Sequence, residues 1–384
     1  MIELATIYQG TESMQMVRQS ARDFAERALR PVVREHDESQ EFPHEIMARL
    51  GDLGFLGAPF PEEYEGAGLS PLDFTVLVEE IARVDPSVAL SVCAHTGLCT
   101  SHIFLFGSRD QKKKYLPDLC SGRKLGAWGL TESSSGSDAH GMQTVAVRDG
   151  NGWVLKGQKV FTTHGTVGST FVVMAITART KPRPGISAFI LERGMTGLAA
   201  GKKENKLGMR ASDTSTLVLD EVRVPAENLI GNEGEGFKQA LQVLDGGRIG
   251  IAALAVGLAQ GALEASLQYA AERRQFGKPL ADFQAIQWKL ADMATGIEAA
   301  RLLTRKAAWL KMNGQGINLA ASQAKYFASE VAVRAAGEAV QIHGGYGYIK
   351  DFPVEKLYRD AKLLTIGEGT SEVQKMIIAR NLLR

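Results

Sequence analysis

From residue 227 to the end of this 384-residue chain, apolar residues recur at a helical period in segments much longer than average globular helices. GFKQALQVLDGGRIGIAALAVGLAQGALEASLQYAAERRQFG, FQAIQWKLADMATGIEAARLLTRKAAWLKMNG and AASQAKYFASEVAVRAAGEAVQIHGG follow one another, with a terminal helix after Gly369. Long helices hide their apolar stripes against each other, so a bundle is expected, with room for packing between subunits. Gly257 and Gly261, four residues apart among polar neighbours, point to close helix contact inside that bundle rather than to a membrane dimer.

Two other textures come before it. Over residues 11–122 the pattern is helical. SMQMVRQSARDFAERAL repeats apolar residues every three or four positions and ends at Pro31, and SPLDFTVLVEEIARV opens with Ser70 as cap and Pro71 at the first helical position. Between 123 and 226 the chain alternates and turns, in MQTVAVRDGNGWVLKGQKVFTT, STFVVMAITART, GISAFILE and TSTLVLDEVRVP. The D-G-N-G run at 149–152 is a hairpin signal, and KPRPG at 181–185 is another turn. The expected fold is an α+β multidomain chain: an N-terminal α-helical domain (1–122), a central β domain (123–226) and a C-terminal α-helical bundle (227–384).

Composition narrows the function. The net charge is +1 with no long basic run, so nothing attracts nucleic acid or an anionic membrane, while small acidic ligands remain compatible. The amino terminus reads as an amphipathic helix rather than a signal peptide, and with no apolar run of about 18 residues no membrane span is expected. Cys93, Cys99 and Cys120 form no C-x-x-C pair, which fits a reducing compartment, and a cytoplasmic location is expected.

The G-x-G-x-x-G fingerprint fails because Gln239 stands where its third glycine belongs, and no P-loop, no G-x-S-x-G elbow and no paired histidine spacing occurs. No Rossmann nicotinamide site and no metal are expected.

Other stretches carry chemistry. WGLTESSSGSDA (128–139) is a run of hydroxyls and glycines that can wrap phosphate or a heteroaromatic edge, or cap its own backbone. KVFTTHG (159–165) sets Phe161 beside two threonines at a strand end, which suits a flat ring or a β core. ERRQFG (272–277) offers a guanidinium fork for a diphosphate, or a solvated helix end. QIHGGYGY (341–348) exposes bare N–H groups to a ligand, or caps a helix. LLTIGEGTSEVQ (363–374) places Glu368 between two glycines, as a base or as a carboxylate complementing a helix N-terminus.

Together LTESSSGSDA, R-x-x-F-G with FQAIQWKLADM, QIHGGYGY and YRDAKLLTIGEGTSE resemble the acyl-CoA dehydrogenase family over essentially the whole chain. ELATIYQ at the start and LDGGRIGIAALAVG (244–257) look closest to its short-chain, butyryl-type branch. The resemblance implies the same three-domain fold and FAD as cofactor, bound without a Rossmann fold. Trp128, Gly129, Leu130, Thr131, Ser137, Phe161, Thr162 and Thr163 would line the flavin, with Phe161 where many relatives carry Trp. Arg273, Phe276, Gln284, Gln341, Ile342, His343, Gly344, Gly345, Thr370, Ser371 and Glu372 would hold the diphosphate and adenosine, partly across a subunit interface of a homotetramer, a dimer of dimers.

The implied reaction is α,β-dehydrogenation of a short-chain acyl-CoA to the 2-enoyl-CoA. Glu368 removes the α-proton, hydride leaves for flavin N5, and electron-transfer flavoprotein accepts the electrons. Apolar walls should raise the pKa of Glu368, and its free N–H would help polarise the thioester carbonyl. Ser137, Asp245, Arg248 and Gly369 would contact the substrate, although Asp245 and Arg248 can equally form an i to i+3 pair.

Some relatives carry the base at the position of Gly247, which is closed here. Close short-chain relatives usually have Tyr where Gly367 stands, so tolerance of branched acyl groups is expected. The arginine of glutaryl-type relatives is missing from 85–92, which argues against a dicarboxylyl substrate. Two rival readings are a same-fold flavoprotein with other chemistry, such as a monooxygenase or nitroalkane oxidase, which intact GEGTSE disfavours, and a non-catalytic helical assembly.

Overall fold

The computed structural model describes residues 10–179 and 184–383. The ELATIYQ stretch and most of the KPRPG turn lie outside the described residues.

Seven α-helices come first: α1 (Glu12–Phe24), α2 (Val33–Ser39), α3 (His44–Asp52), α4 (Pro71–Val84), α5 (Pro86–Val92), α6 (Ser101–Phe106) and α7 (Arg109–Cys120). Local chemistry starts α4 where expected. Ser70 Oγ accepts the Asp73 N–H at 3.2 Å, Asp73 accepts the Ser70 N–H at 2.9 Å, and Pro71 fills the first helical position. Between α5 and α6 the helix continues as a wider π-type turn, Cys93–Thr100.

One sheet follows. Its strands are β1 (Gly126–Gly129), β2 (Val145–Asp149), β3 (Gly152–Thr163), β4 (Thr170–Ala178), β5 (Gly185–Glu192), β6 (Leu198–Lys203), β7 (Thr214–Pro225) and β8 (Leu229–Ile230). They lie in the order β6-β7-β3-β2-β4-β5-β8, with β1 parallel to β4. The hairpin signal closes β2 onto β3, Asp149 pairing with Gly152. Successive residues of β4 serve opposite faces: Val172 and Met174 pack toward the helices, while Phe171, Val173 and Ala175 join Trp153, Phe189 and Leu217.

The bundle consists of α8 (Gly236–Glu272), α9 (Gln284–Met312), α10 (Asn318–His343), α11 (Val354–Leu364) and α12 (Ser371–Leu382). The N-terminal helices and the bundle share a single apolar core running from Met14 to Leu364. Two helical segments that are separate in sequence are therefore one packed body. Gly257 and Gly261 explain how α8 meets α4 so closely. A Cβ at either would collide with the backbone carbonyl of Glu79 or Arg83.

One expectation needs correction. Two helices, Pro86–Phe106 and Gly236–Glu272, are long and apolar enough by composition to cross a membrane. The most apolar windows of the two are 67% and 78% buried inside the fold. Their hydrophobicity fits core helices, most of each apolar window being covered by protein.

Gly257→Val should force α8 away from α4 and cost about 1–3 kcal/mol, read as a lower melting temperature by circular dichroism. Gly296→Ala on α9 is the control. Its Cβ would meet Val331 at an ordinary 3.4 Å, so the melting temperature should hold or rise slightly.

Candidate active site

The GEGT segment is the turn between α11 and α12. Ser371 N–H donates to Thr365 O at 3.0 Å, and Thr370 caps α12 by accepting the Val373 N–H at 3.3 Å. Inside this closure Glu368 and Gly369 sit consecutively in the left-handed region, at φ 53° and 92°. For Glu368 that conformation is strained, so the surroundings must hold it. Lys325 Nζ donates to Gly369 O at 2.7 Å, and Gln374 Nε2 donates to Gly369 O at 3.0 Å and to Glu368 O at 3.3 Å. The Glu368 N–H has no acceptor among the described residues. Because Thr370 caps α12, the Glu368 carboxylate is not spent on the helix end.

That carboxylate turns toward α8. A Cβ on Gly247 would collide with Glu368 Oε2 and come within 3.0 Å of Leu98 Cδ2. Position 247 and the tip of Glu368 therefore compete for one space, which is why a base can stand at one of them and not both. Glu368 Oε2 is enclosed and without a hydrogen-bond partner among the described residues. Burial pushes the Glu368 pKa up to about 7, against the opposing pull of the Lys325 and Arg248 charges. A carboxylate with that pKa takes and releases protons near neutral pH.

Gly247 and Cys93 also line a cavity of about 130 Å³, walled by Phe60, Phe74, Gly97 and Phe104 among others. An engineered cavity of about 150 Å³ takes a benzene ring, so a space of this size suits a short acyl chain. The π-type turn positions this cavity. On one side a Cβ added at Gly97 would meet Gly247 Cα at 3.9 Å, and on the other Cys99 lies where a Cβ on Gly126, at the start of β1, would go. Wider helical turns of this kind recur at functional sites.

On the β domain, Trp128 and Gly129 end β1, and Leu130 and Thr131 follow it toward the end of β3 with Phe161, Thr162 and Thr163, the Val160 N–H donating to Thr131 O at 2.9 Å. Trp128 is anchored by its Nε1–H to His102 Nδ1 at 3.1 Å. A bulge in β3 puts Phe161 at φ 54° and leaves the residue 67% exposed, with buried Thr162 Oγ1 beside it lacking a partner among the described residues. Ser137 is exposed on the adjoining loop. Glu132 holds that loop: it pairs with buried Lys159 at 2.7 Å and accepts backbone N–H groups from Gln143 and Thr144.

A second group gathers elsewhere. Arg273, Gly344 and Gly345 line one pocket, with the Arg273 guanidinium over the Tyr346 ring. Gln341, Gln284 and Phe276 are exposed nearby in sequence, Phe276 at 93%. Ile342 and His343 turn inward instead: both are 3% exposed, and His343 stacks on Tyr269 at 4.2 Å. Tyr269 is 22 residues beyond Gly247 on α8, roughly 33 Å along the axis at 1.5 Å per residue. Thr370, Ser371 and Glu372 remain beside Glu368, with Ser371 Oγ donating to Glu330 at 2.6 Å.

Asp245 and Arg248 form the intrahelical pair at 2.5 Å, and Asn318 donates to both Asp245 oxygens. Arg248 is 3% exposed, so enclosure rather than an open guanidinium is its setting. Lys325 and Gln374 were missed in the sequence. Their signal was polar character on a buried stripe: Lys325 is flanked by Ala321, Ala328 and Ala332, all buried.

The Glu368 pKa predicts a stability effect. The group rises from 4.5 to about 7 on folding, so the folded state holds an extra proton between those values. Its contribution to stability therefore falls as pH rises through that window, and the full cost is present above pH 7. Glu368→Gln should melt a few degrees above the unsubstituted protein at pH 8 and lose that advantage at pH 4.5.

Comparison with known proteins shows the family. Family models described as the N-terminal, middle and C-terminal domains of acyl-CoA dehydrogenase match residues 11–123, 127–222 and 234–383. A short-chain specific acyl-CoA dehydrogenase of Clostridium acetobutylicum is 48% identical over 97% of this chain and 99% of that one. The butyryl-CoA dehydrogenase structure from Megasphaera elsdenii superposes with a TM-score of 0.96 at 46% identity, covering 97% and 99% of the two chains. A chain solved in work on the electron transferring flavoprotein of Acidaminococcus fermentans also gives 0.96, at 47% identity over 97% and 98%. The chain belongs to the acyl-CoA dehydrogenase family, in its short-chain branch, and is an oxidoreductase that dehydrogenates acyl-CoA.

Proposed function

We propose that this enzyme carries out FAD-dependent α,β-dehydrogenation of short acyl-CoA thioesters, branched ones included, with Glu368 as the base. The carrying observation is the enclosed, unpartnered oxygen of Glu368 beside a cavity of short-acyl size. In this reading the acyl group lies between the β-domain face and Glu368. Glu368 takes the α-proton, and its free N–H donates to the thioester carbonyl as negative charge develops there.

The residues present fit FAD. Exposed Phe161 offers an aromatic face, unpartnered Thr162 Oγ1 lies beside it, and the hydroxyl-rich 133–137 loop is held open by Glu132. When bound, FAD supplies the acceptor for the hydride that leaves the β-carbon. Trp128, Thr131, Ser137 and Phe161 to Thr163 would hold the ring. The roughly 33 Å along α8 between Gly247 and Tyr269 supports a site completed by a second copy, Arg273 and the 341–345 turn serving the partner, and hence the homotetramer. Electron-transfer flavoprotein is the proposed acceptor, supported by the related chain solved in work on such a protein. Three buried, unpaired cysteines support a reducing, cytoplasmic setting.

Gly367 supports tolerance of branched acyl groups. Its backbone is not left-handed, and a Cβ there would meet only Leu363, at 3.6–3.9 Å. A side chain is therefore admissible at 367, and its omission leaves space beside the base.

Anaerobic bleaching of the yellow chromophore by a panel of straight, branched and cyclic acyl-CoAs tests the reading. Glu368→Gln should slow bleaching about 10²–10⁴-fold, and an unchanged rate removes Glu368 as base. Gly367→Tyr should cut branched-chain turnover at least about tenfold more than butyryl-CoA turnover. Refusal of every branched or cyclic substrate by the unsubstituted enzyme would end the breadth claim.

A further inference from the structure

Charged and titratable groups act on Glu368, or on the cations beside it, from four directions: Arg248 with its partner Asp245 on α8, Lys325 and Glu330 on α10, Glu372 on α12, and Cys93 in the π-type turn. Most are already engaged or turned away. Arg248 is paired with Asp245 at 2.5 Å, Glu330 accepts from Ser371 at 2.6 Å, Glu372 is exposed, and the Cys93 thiol is kept neutral by burial. Lys325 differs. It is 0% exposed, its ammonium donates to Gly369 O at 2.7 Å, and no carboxylate among the described residues lies within ion-pairing distance of it. Its charge is thus left to act on Glu368, the carboxylate that contributes most to keeping it protonated.

We propose that Lys325 is a positioning residue of the dehydrogenation: its ammonium locks the Gly369 carbonyl, fixing the left-handed Glu368, and biases that carboxylate toward the ionised state proton abstraction requires. Resting on the reading of Glu368 as base, the inference follows from two opposed effects at one point. Burial drives Glu368 toward its neutral form, which is useless as a base. A cation that cannot satisfy itself elsewhere pulls it back. Burial lowers Lys325 itself to about 8, so it is still charged where Glu368 titrates, near 7. Lysine also suits the place because its ammonium donates to a single carbonyl, where an arginine fork would demand more acceptors. Gln374 shares the carbonyl contact but brings no charge.

The test compares pH profiles of kcat/KM in the intact holoenzyme. Lys325→Met removes charge and donor; Lys325→Gln removes the charge and keeps an N–H donor. In both, the acid limb should move up by about one pH unit, a tenfold loss at pH 6 that shrinks toward high pH. Lys325→Met should also lose rate on the alkaline plateau, where Glu368 is ionised in every variant. Lys325→Arg, which keeps the charge, should leave the limb in place. Bound chromophore and melting temperature establish that each variant is folded.

An unshifted acid limb in folded Lys325→Met and Lys325→Gln overturns the proposal. Loss of folding in both neutral variants while Lys325→Arg folds also overturns it, leaving a structural cation only. Glu368→Gln in the same series separates the two claims. If it retains dehydrogenation, the base assignment has failed. If it is inactive while the limb stays fixed in the Lys325 variants, only the role of Lys325 has.

Discussion

One half-buried carboxylate with an enclosed, unpartnered oxygen is the constraint around which this molecule is arranged. An ionised group in an apolar wall is costly, and the chain retains it by surrounding Glu368 with backbone that cannot relax. The turn from Thr365 to Ser371 is closed by its own hydrogen bonds, its two left-handed residues are gripped from α10 and α12, and α8 leaves a gap at Gly247. Adding a side chain at Gly247 would displace the carboxylate, and freeing the Gly369 carbonyl would let the strained turn unwind.

Glycine serves two opposite purposes along α8. At Gly257 and Gly261 the missing side chain lets helix backbones touch, which fuses the N-terminal helices and the bundle into one core. Ten residues earlier, at Gly247, it keeps space empty for the carboxylate and the neighbouring cavity. A single long helix is therefore packed as tightly as possible in its middle and held open near its start. The rigid half makes the open half dependable, because a cavity persists only where its walls cannot collapse.

The sheet contributes a platform rather than a reactive group. Strands β4 and β5 are buried on both faces, and the functional edge is where β1 and β3 end and regularity breaks, at the Phe161 bulge and the Glu132-held loop. The buried Glu132–Lys159 pair keeps the hydroxyl run from folding back on the strand. Serines that read as a self-capping loop are in part that, since Ser135 donates to Asp138 O, yet Ser137 stays exposed.

Much of this was legible in the residues. Period separated helices from strands, Ser70 and Pro71 set the start of α4, the D-G-N-G turn joined β2 to β3, and glycines around one glutamate marked the turn that carries the proposed base, because each signal is local and acts within a few residues. Contacts between distant segments were not legible. That Lys325 reaches Gly369, that Arg248 is enclosed, that Ile342 and His343 turn inward, and that two apolar helices are core depend on which faces meet in space. Burial is a property of the assembled fold. Local sequence decided which groups could do chemistry, and only tertiary packing decided how far each was removed from water and therefore what its charge would be.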